Sequence, residues 1–148
     1  MQFVLSQLSG GTTNYLQTND VMLTFSNGLA SYNLSVPTNT THISAKTAWN
    51  LRKRLGMEFN SGTATVNFTG SNTLKGGDLI TTTVPPGTIA DTDNAVTSAD
   101  YLLLLGNYLQ TVNGNANTAR ADIDGDGAVT SSDYLTLLGN YLTSGDPQ

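Results

Sequence analysis

The chain has 148 residues, no cysteine and a net charge of −5 at pH 7. This length allows one ordinary domain or two small ones, and without cysteine neither a disulfide nor thiol chemistry can contribute. The acidic balance argues against nucleic acid as a partner, because nucleic acid attracts basic patches. No apolar stretch approaches the roughly 18 residues that predict a membrane span.

The chain up to residue 75 alternates apolar and polar residues, which is the pattern of half-buried β-strands. The alternation occurs in four stretches, at residues 21–25, 32–36, 43–59 and 64–68. Turn residues separate these stretches at 26–28, 37–39 and 60–62. Roughly six or seven short strands in this length predict a small antiparallel β-sandwich, which we place at residues 1–76.

The segment Met1–Leu8 leaves two alternatives open. It is either the first strand of this sandwich or a strand that adds to the sheet edge of a neighbouring subunit. The opening sequence MQFVLSQLSGG lacks the basic region and the long apolar core of a signal peptide, so we do not expect it to be one.

Few residues of this region could carry chemistry. His42 is the one histidine and has no companions that would make it catalytic. Trp49 is either a core residue or a platform on which a sugar ring stacks. Alternation places Lys53 opposite Arg52 and Arg54, which predicts that this basic run is a solvated strand edge. The sequence therefore predicts a protein that is not an enzyme.

The C-terminal half begins after Gly76-Gly77 and contains an internal repeat. Asp91–Leu109 aligns with Asp124–Leu142 at a constant offset of 33, and 15 of the 19 positions are identical. A repeat this close predicts two copies of one unit, each a loop followed by a helix, that pack together. An apolar stripe at helical spacing marks the predicted seam: Tyr101, Leu104, Leu105, Tyr108, Tyr134, Leu137, Leu138 and Tyr141.

The loop of the second copy, residues 122–133, has the spacing of a calcium-binding loop. Acids stand at loop positions 1, 3, 5 and 12: Asp122, Asp124, Asp126 and Asp133. Gly127 at position 6 permits a sharp turn, Ala128 at position 7 offers its carbonyl, and Thr130 at position 9 offers a hydroxyl or a bound water. Four acids in so short a loop repel one another unless a cation binds, so the loop predicts a Ca²⁺ site.

A duplicated D-x-D-x-D-G loop that ends in Asp rather than Glu, and leads into one short Leu/Tyr helix, resembles the type I dockerin family. The resemblance extends over about residues 77–142. It implies an adaptor domain, here residues 77–148, that folds as a duplicated EF-hand-like unit, binds calcium and docks onto a partner called a cohesin. The N-terminal strand order also resembles the prealbumin-like sandwich that precedes dockerins in some secreted bacterial proteins.

The first copy departs from this pattern. Counting back from Asp93 places Ile89 at position 1, where it cannot bind a cation, but Gly77-Asp78-Leu79 resembles the usual start of a first dockerin loop. We therefore interpret residues 80–90 as an insertion within a second calcium site, in which Asn94 replaces the glycine and adopts the same left-handed conformation. The predicted ligands are Asp78, Asp91, Asp93, Ala95, Thr97 and Asp100. The alternative is that this site is lost and the segment is a linker.

Eight of the 11 acids belong to these two loops. Two Ca²⁺ ions bound there would bring the net charge from −5 to about −1, so the acidity is a property of two metal sites. Calcium loops of modest affinity fill readily outside cells, where the ion is plentiful, and this favours a secreted or cell-surface protein.

The dockerin resemblance also implies where a partner binds. Contacts fall along the helices and at loop positions 10 and 11: Ser98, Ala99, Ser131 and Ser132. Leu103, which is replaced by Thr136 in the second copy, lies off the predicted seam and is expected to contact the β-domain or a partner.

The resulting prediction is a two-part fold, an antiparallel β-sandwich followed by a duplicated EF-hand-like helical domain, in a non-enzymatic assembly protein. Its partner is a cohesin-like domain or copies of the chain itself, which would then form a fibre or a surface layer. The alternative is a carbohydrate-binding module that uses the β-sandwich to bind glycans.

Overall fold

A computed structural model describes residues 1–81 and 92–147, which divide into two compact units. The sheet unit comprises Met1–Lys46, Arg52–Leu74 and Asp146–Gln148, and the loop unit comprises Thr47–Leu51 and Lys75–Gly145. The sequence-based boundary between residues 76 and 77 differs from this division by the short segments 47–51, 75–76 and 146–148. None of the described helices has both the length and the hydropathy that a membrane crossing requires.

The sheet unit contains an antiparallel sheet of four strands in the order β2-β1-β3-β4. The strands are β1 (Gln2–Ser9), β2 (Thr12–Asp20), β3 (His42–Lys46) and β4 (Lys53–Gly56). β1 lies in the middle of the sheet, and its Phe3 and Leu5 are buried together with Ile43 and Ala45 of β3. Of the two alternatives for Met1–Leu8, the structure therefore shows a strand of the chain's own sheet.

A two-residue turn joins β1 to β2. Gly10 and Gly11 both have positive φ, 57° and 81°, which is the conformation of a tight hairpin turn and which glycine adopts without strain. This turn sets Ser9 opposite Thr12.

In this unit, the structure differs from the prediction mainly at the second sheet of the sandwich. All three predicted turns form, at residues 26–29, 37–40 and 60–63. The flanking segments 30–36 and 64–68 alternate in burial as predicted, but the described structure assigns no strand to them. Their inward side chains pack against the core of the sheet: Tyr32, Leu34, Val36, Val66 and Phe68. The described residues of this unit thus form one sheet covered by extended segments, and a second sheet stays a prediction.

The predicted strand over residues 43–59 is also interrupted. β3 and β4 are separated by Thr47–Leu51, which belongs to the loop unit. Arg52, predicted at a solvated edge, is only 3% exposed. This burial is tolerated because the guanidinium donates to Ser44 Oγ at 3.1 Å and to Gln2 Oε1 at 2.9 Å.

The loop unit contains three helices, α1 (Ser98–Asn107), α2 (Ala116–Ala121) and α3 (Ser131–Gly139). α1 and α3 are the helices that the repeat predicts. The short helix α2 lies between the two copies and has no counterpart in the sequence-based prediction; the Asn115 side chain caps it. The buried core of the unit consists of Leu51, Leu79, Val96, Leu104, Ala121, Val129 and Leu137.

α1 and α3 bury only part of the predicted face, together with polar residues that were not predicted for it. The buried residues are Asp100, Leu104 and Asn107 in α1 and Asp133 and Leu137 in α3. Leu105 and Leu138, predicted for the seam, are 42% and 41% exposed. Leu103, expected to contact the β-domain or a partner, packs against the core of its own unit. The reason is that the last acid of each loop lies in the first turn of its helix, and its burial turns that face inward.

Candidate metal centre and partner faces

The acids of the second loop converge on one point. Asp122, Asp124 and Asp126 each place a carboxylate oxygen within 4.8 Å of the others, and Asp122 is half-buried while the other two are exposed. Like charges at this separation repel by roughly 1 kcal/mol per pair in water and by about 3.5 kcal/mol at an effective dielectric constant of about 20. The arrangement therefore favours a bound cation.

Backbone amides hold these carboxylates in place. Asp122 Oδ1 accepts from the N–H groups of Gly125 and Asp126 at 2.9 and 3.1 Å, and its Oδ2 accepts from Gly127 at 3.0 Å. Gly125 and Gly127 have φ of 75° and 96°. The two glycines thus allow the chain to turn around Asp122 and to point its amides at one carboxylate.

Asp133 closes the second loop and begins helix α3. Its Oδ1 accepts from the N–H groups of Ile123 and Asp124 at 2.7 and 3.1 Å, and its Oδ2 accepts from Thr130 N–H at 2.8 Å. Thr130 is the N-cap of α3 and forms a capping box with Asp133. Asp133 is fully buried and is not part of the three-acid cluster. Its visible role is to join the two ends of the loop.

The donor set of this loop fits calcium. Ca²⁺ binds oxygen ligands at 2.3–2.6 Å, so two ligands of one ion lie at most about 5 Å apart. The three clustered carboxylates, all within 4.8 Å, satisfy this condition. Carboxylates are hard ligands, and the chain has no cysteine that would favour a softer metal.

The first loop repeats the contacts that close the second. Asp100 Oδ1 accepts from the N–H groups of Leu79 and Ile80 at 2.6 and 2.9 Å, and its Oδ2 accepts from Thr97 N–H at 2.7 Å. The last acid of the second loop receives the amides of loop positions 2, 3 and 9 in the same way. By these contacts, Leu79 and Ile80 correspond to Ile123 and Asp124 of the second loop.

Asp78 is fully buried and accepts a hydrogen bond from the Thr92 hydroxyl. Thr92 also pairs with Thr81 in an antiparallel bridge, so the described residues on either side of 82–91 lie next to each other. The predicted insertion at 80–90 is described only at its first two residues, and Asp91 lies outside the described residues.

The later positions of the first loop also follow the second. Asp93 Oδ1 accepts from Ala95 N–H at 3.1 Å. Asn94 has φ of 60° and so takes the left-handed conformation that Gly127 has in the second loop. Ala95 and Ala128, the predicted carbonyl ligands at position 7, each form one antiparallel bridge. Thr97 caps α1 as its counterpart caps α3.

Each loop pairs with the chain that follows the helix of the other copy. Val96 exchanges two backbone hydrogen bonds, both of 2.8 Å, with residues 142–143, and Val129 exchanges two, of 2.8 and 2.9 Å, with residues 109–110. The first residue of each segment is a leucine with positive φ, 59° and 63° respectively, which is uncommon for a side chain of this kind. The two copies therefore pair with each other reciprocally, each loop with the segment that follows the other helix.

The predicted partner residues of loop positions 10 and 11 are exposed. Leu102 and Leu135, which the sequence pattern did not single out, are 66% and 65% exposed beside them. We name the two resulting surfaces the first face (Ser98, Ala99, Leu102, Leu105 and Leu109) and the second face (Ser131, Ser132, Leu135, Leu138 and Leu142). The repeat itself holds the signal, because each exposed leucine follows the first serine of its face by one helical turn.

A cluster of tyrosines joins α1 to α3. The Tyr101 ring centroid lies 6.1 Å from that of Tyr134 and 6.3 Å from that of Tyr141, and Tyr108 lies 6.3 Å from Tyr134. The neighbouring Tyr134 hydroxyl raises the pKa of Tyr101. Tyr101 and Tyr134 also pack against the core of the unit, so they belong to the predicted seam.

The carbohydrate alternative gains no support from the described residues. Trp49, the candidate stacking platform, belongs to the loop unit and is 41% exposed. In the sheet unit, Tyr32 packs on Phe3 with ring centroids 4.5 Å apart. That unit has a cavity of about 500 Å³ between its covering segments, lined without any charged side chain.

Comparison with known proteins agrees with this geometry. Residues 90–143 match the family model of the Dockerin type I domain. The match contains the helices of both copies and the whole second loop, and it begins after Asp78. No curated protein and no solved structure matches the chain. Dockerin domains are non-catalytic modules that bind Ca²⁺ and cohesin domains. Over residues 90–143, the C-terminal part of this chain is therefore similar to a type I dockerin domain.

Proposed function

We propose that this chain is a non-enzymatic, calcium-dependent assembly module that works outside the cell and attaches itself to a cohesin-like domain of another protein. The observation that carries the proposal is that one structural unit, a loop followed by a helix, occurs twice. Two loops are closed by the same acid-to-amide contacts, and each leads into a helix with the same exposed leucines. Dockerin-containing proteins are typically extracellular or attached to the cell surface, where calcium is abundant.

Each loop would hold one Ca²⁺ ion. In the second loop we assign the carboxylates of Asp122, Asp124, Asp126 and Asp133, the carbonyl of Ala128, and Thr130 directly or through water. In the first loop the corresponding residues are Asp78, Asp91, Asp93, Asp100, Ala95 and Thr97. The ion supplies positive charge that cancels the repulsion within each set of acids.

The two faces supply the partner surface. Leu102 and Leu135 differ in exposure by a single percentage point, and so do Leu109 and Leu142, at 78% and 77%. Exposed apolar side chains that form one contiguous patch are typical of protein interaction sites. Because the faces match so closely, a cohesin that fits one is expected to fit the other after a half-turn of the module.

A binding assay with a panel of purified type I cohesin domains tests this proposal. In calcium, we expect binding by the wild-type chain and by the single variants Leu102→Glu and Leu135→Glu within a few-fold, because one face remains intact. The double variant should lose at least about a hundredfold in affinity, since it buries an unpaired charge at either face. Met22→Glu, at a residue of the sheet unit that is 94% exposed, is the matched control and should bind normally.

Self-association is the competing use of the same faces. If copies of the chain occupied each other's faces, calcium would produce fibres or layers in electron micrographs without a cohesin, and the double variant would abolish them. Fibres in calcium, together with no binding to any cohesin of the panel, would replace cohesin docking with self-assembly. Absence of both would contradict an assembly function.

A further inference from the structure

The two loops differ in one feature, the residue that stands two positions before their first acid. In front of the second loop this residue is Arg120, and in front of the first it is Gly76. Each of them reaches position 2 of the opposite loop. Arg120 Nε donates to the carbonyl of Leu79 at 2.6 Å, and a Cβ on Gly76 would lie only 2.6 Å from Ile123 Cγ2. Because each copy contacts the loop of the other, the first loop receives the arginine side chain and the second loop receives the glycine.

Arg120 contacts the chain beside the buried acids of the first loop, because Leu79, whose carbonyl it binds, follows Asp78 and donates its N–H to Asp100. Its second hydrogen bond goes to the carbonyl of Ala48 at 3.2 Å, which fixes the half-buried guanidinium in place. Burial lowers the pKa of Arg120, and the charges of Asp78 and Asp100 act against that decrease. Both of these acids are fully buried, so their attraction to the guanidinium is weakly screened by water.

The part of the chain that the structure describes offers no such partner to the second loop. Among the described residues, no lysine or arginine forms an ion pair with the acids of the second loop, which accept hydrogen bonds from backbone amides and the Thr130 hydroxyl. Gly76 cannot carry a charge, and a larger side chain there would meet Ile123. The acids of the second loop therefore depend on a metal ion for charge compensation.

From this asymmetry we infer that Arg120 is a built-in counter-ion of the first loop, which keeps that loop closed when calcium is withdrawn while the second loop opens. The inference rests on the calcium sites proposed above. It assigns to Arg120 a positioning role, because the guanidinium acts on the loop through Leu79 and the two buried acids rather than on the metal. It also implies that the two sites bind calcium unequally, since a fixed positive charge beside the first site opposes a second one.

Hydrogen exchange of four amides in the full chain tests the inference. The amides of Leu79 and Ile80 report on closure of the first loop, and those of Ile123 and Asp124 report on the second. In EDTA, we expect the first pair to stay protected and the second pair to exchange freely. Equal loss of protection in both pairs would overturn the inference.

Substitution of Arg120 separates its charge from its hydrogen bonds. In EDTA, Arg120→Gln should speed exchange of Leu79 and Ile80 by at least about tenfold, whereas Arg120→Lys, which keeps the charge, should stay close to wild type. Calcium should restore protection in the glutamine variant, which shows that it still folds. If the lysine variant behaves like the glutamine variant, the hydrogen bonds close the loop and the counter-ion role is wrong.

Calcium titration in the Asp124→Ala background isolates the first site and keeps the two proposals distinguishable. There, Arg120→Gln should tighten calcium binding at least about tenfold, because it removes the competing charge. No calcium binding in this background, with Arg120 still needed for protection in EDTA, would overturn the first metal site and leave the counter-ion in place. Unchanged affinity in the glutamine variant would overturn the counter-ion.

Discussion

The sheet unit and the loop unit differ in the kinds of side chain that they bury. The sheet unit buries Phe3, Leu5 and Ile43 in the apolar core of its four-stranded sheet. The loop unit has an apolar core too, but it also buries three carboxylates that belong to its loops: Asp78, Asp100 and Asp133. A buried carboxylate is costly unless it is hydrogen-bonded and its charge is compensated. The comparison teaches that the core of the sheet unit is mainly apolar, whereas the loop unit also buries acids whose charge a bound cation would compensate.

Removal of calcium should produce the largest difference between the units. At a hundredfold excess over its dissociation constant, one ion contributes roughly 2.7 kcal/mol, so two contribute about 5 kcal/mol. We expect EDTA to open the second loop and unfold α3, with partial loss of helical circular dichroism, and to leave amide protection in β1 and β3 unchanged. Equal loss of protection in the two units would contradict the comparison.

Core truncation should distinguish the units in the opposite sense. Phe3→Ala removes a fully buried ring of the sheet unit and should cost about 3–5 kcal/mol without changing calcium affinity. Leu137→Ala, at an equally buried site of the loop unit, should cost about 2–5 kcal/mol and weaken calcium binding, because α3 begins at the second loop. Thermal unfolding with and without calcium measures both effects. A calcium affinity that fell in the Phe3 variant would show that the units are not independent in this respect.

Glycine substitution sharpens the comparison inside the loop unit. Gly76→Ala brings a methyl group against Ile123 and should destabilise the unit by about 1–3 kcal/mol. Gly106→Ala in α1 is the matched control, because nothing lies within 4 Å of the point that its new methyl group would occupy and alanine favours a helix. It should stabilise the unit by about 0.5–1 kcal/mol. Chemical denaturation in calcium compares the two, and a neutral Gly76 variant would contradict the close approach.

Helix capping should give the smallest effect. Thr130→Ala removes the side chain that caps α3 and should cost about 1 kcal/mol, while Thr130→Ser should be near neutral. Thr97→Ala should have a similar effect on α1, since the two caps have the same geometry. Denaturant midpoints of the four proteins test this equivalence. A clearly larger cost at one of the two caps would show that the copies are less alike than their contacts suggest.

Much of the loop unit could be predicted from the sequence because loop chemistry is local. The spacing of acids and glycines predicted a turn around Asp122, and the repeat predicted helices after both loops. Asp100 accepts from the amides of Leu79 and Ile80, as Asp133 accepts from those of Ile123 and Asp124, while the role of Asp78 as a ligand stays a prediction. The two faces were predicted only at their serines. The outward direction of Leu102 depends on how far α1 rotates to bury Asp100, and a spacing rule contains no information on that rotation.

The sheet unit was less predictable for a related reason. The turn residues and the alternation of apolar side chains are local signals, and the three turns and the pattern of burial agree with them. Whether two extended segments join in a ladder depends on register and distance between residues far apart in sequence. The burial of Arg52 is similar, because it requires Ser44 and Gln2 on two other strands.

Calorimetric titration of calcium into the wild-type chain and into Asp78→Asn most directly tests the claim that both loops are metal sites. Our account predicts two ions per wild-type chain and one per variant chain, with the remaining ion in the second loop. The matched variant Asp20→Asn, at the end of β2, should still bind two. A single ion in the wild type, or an unchanged count after Asp78→Asn, would contradict the account.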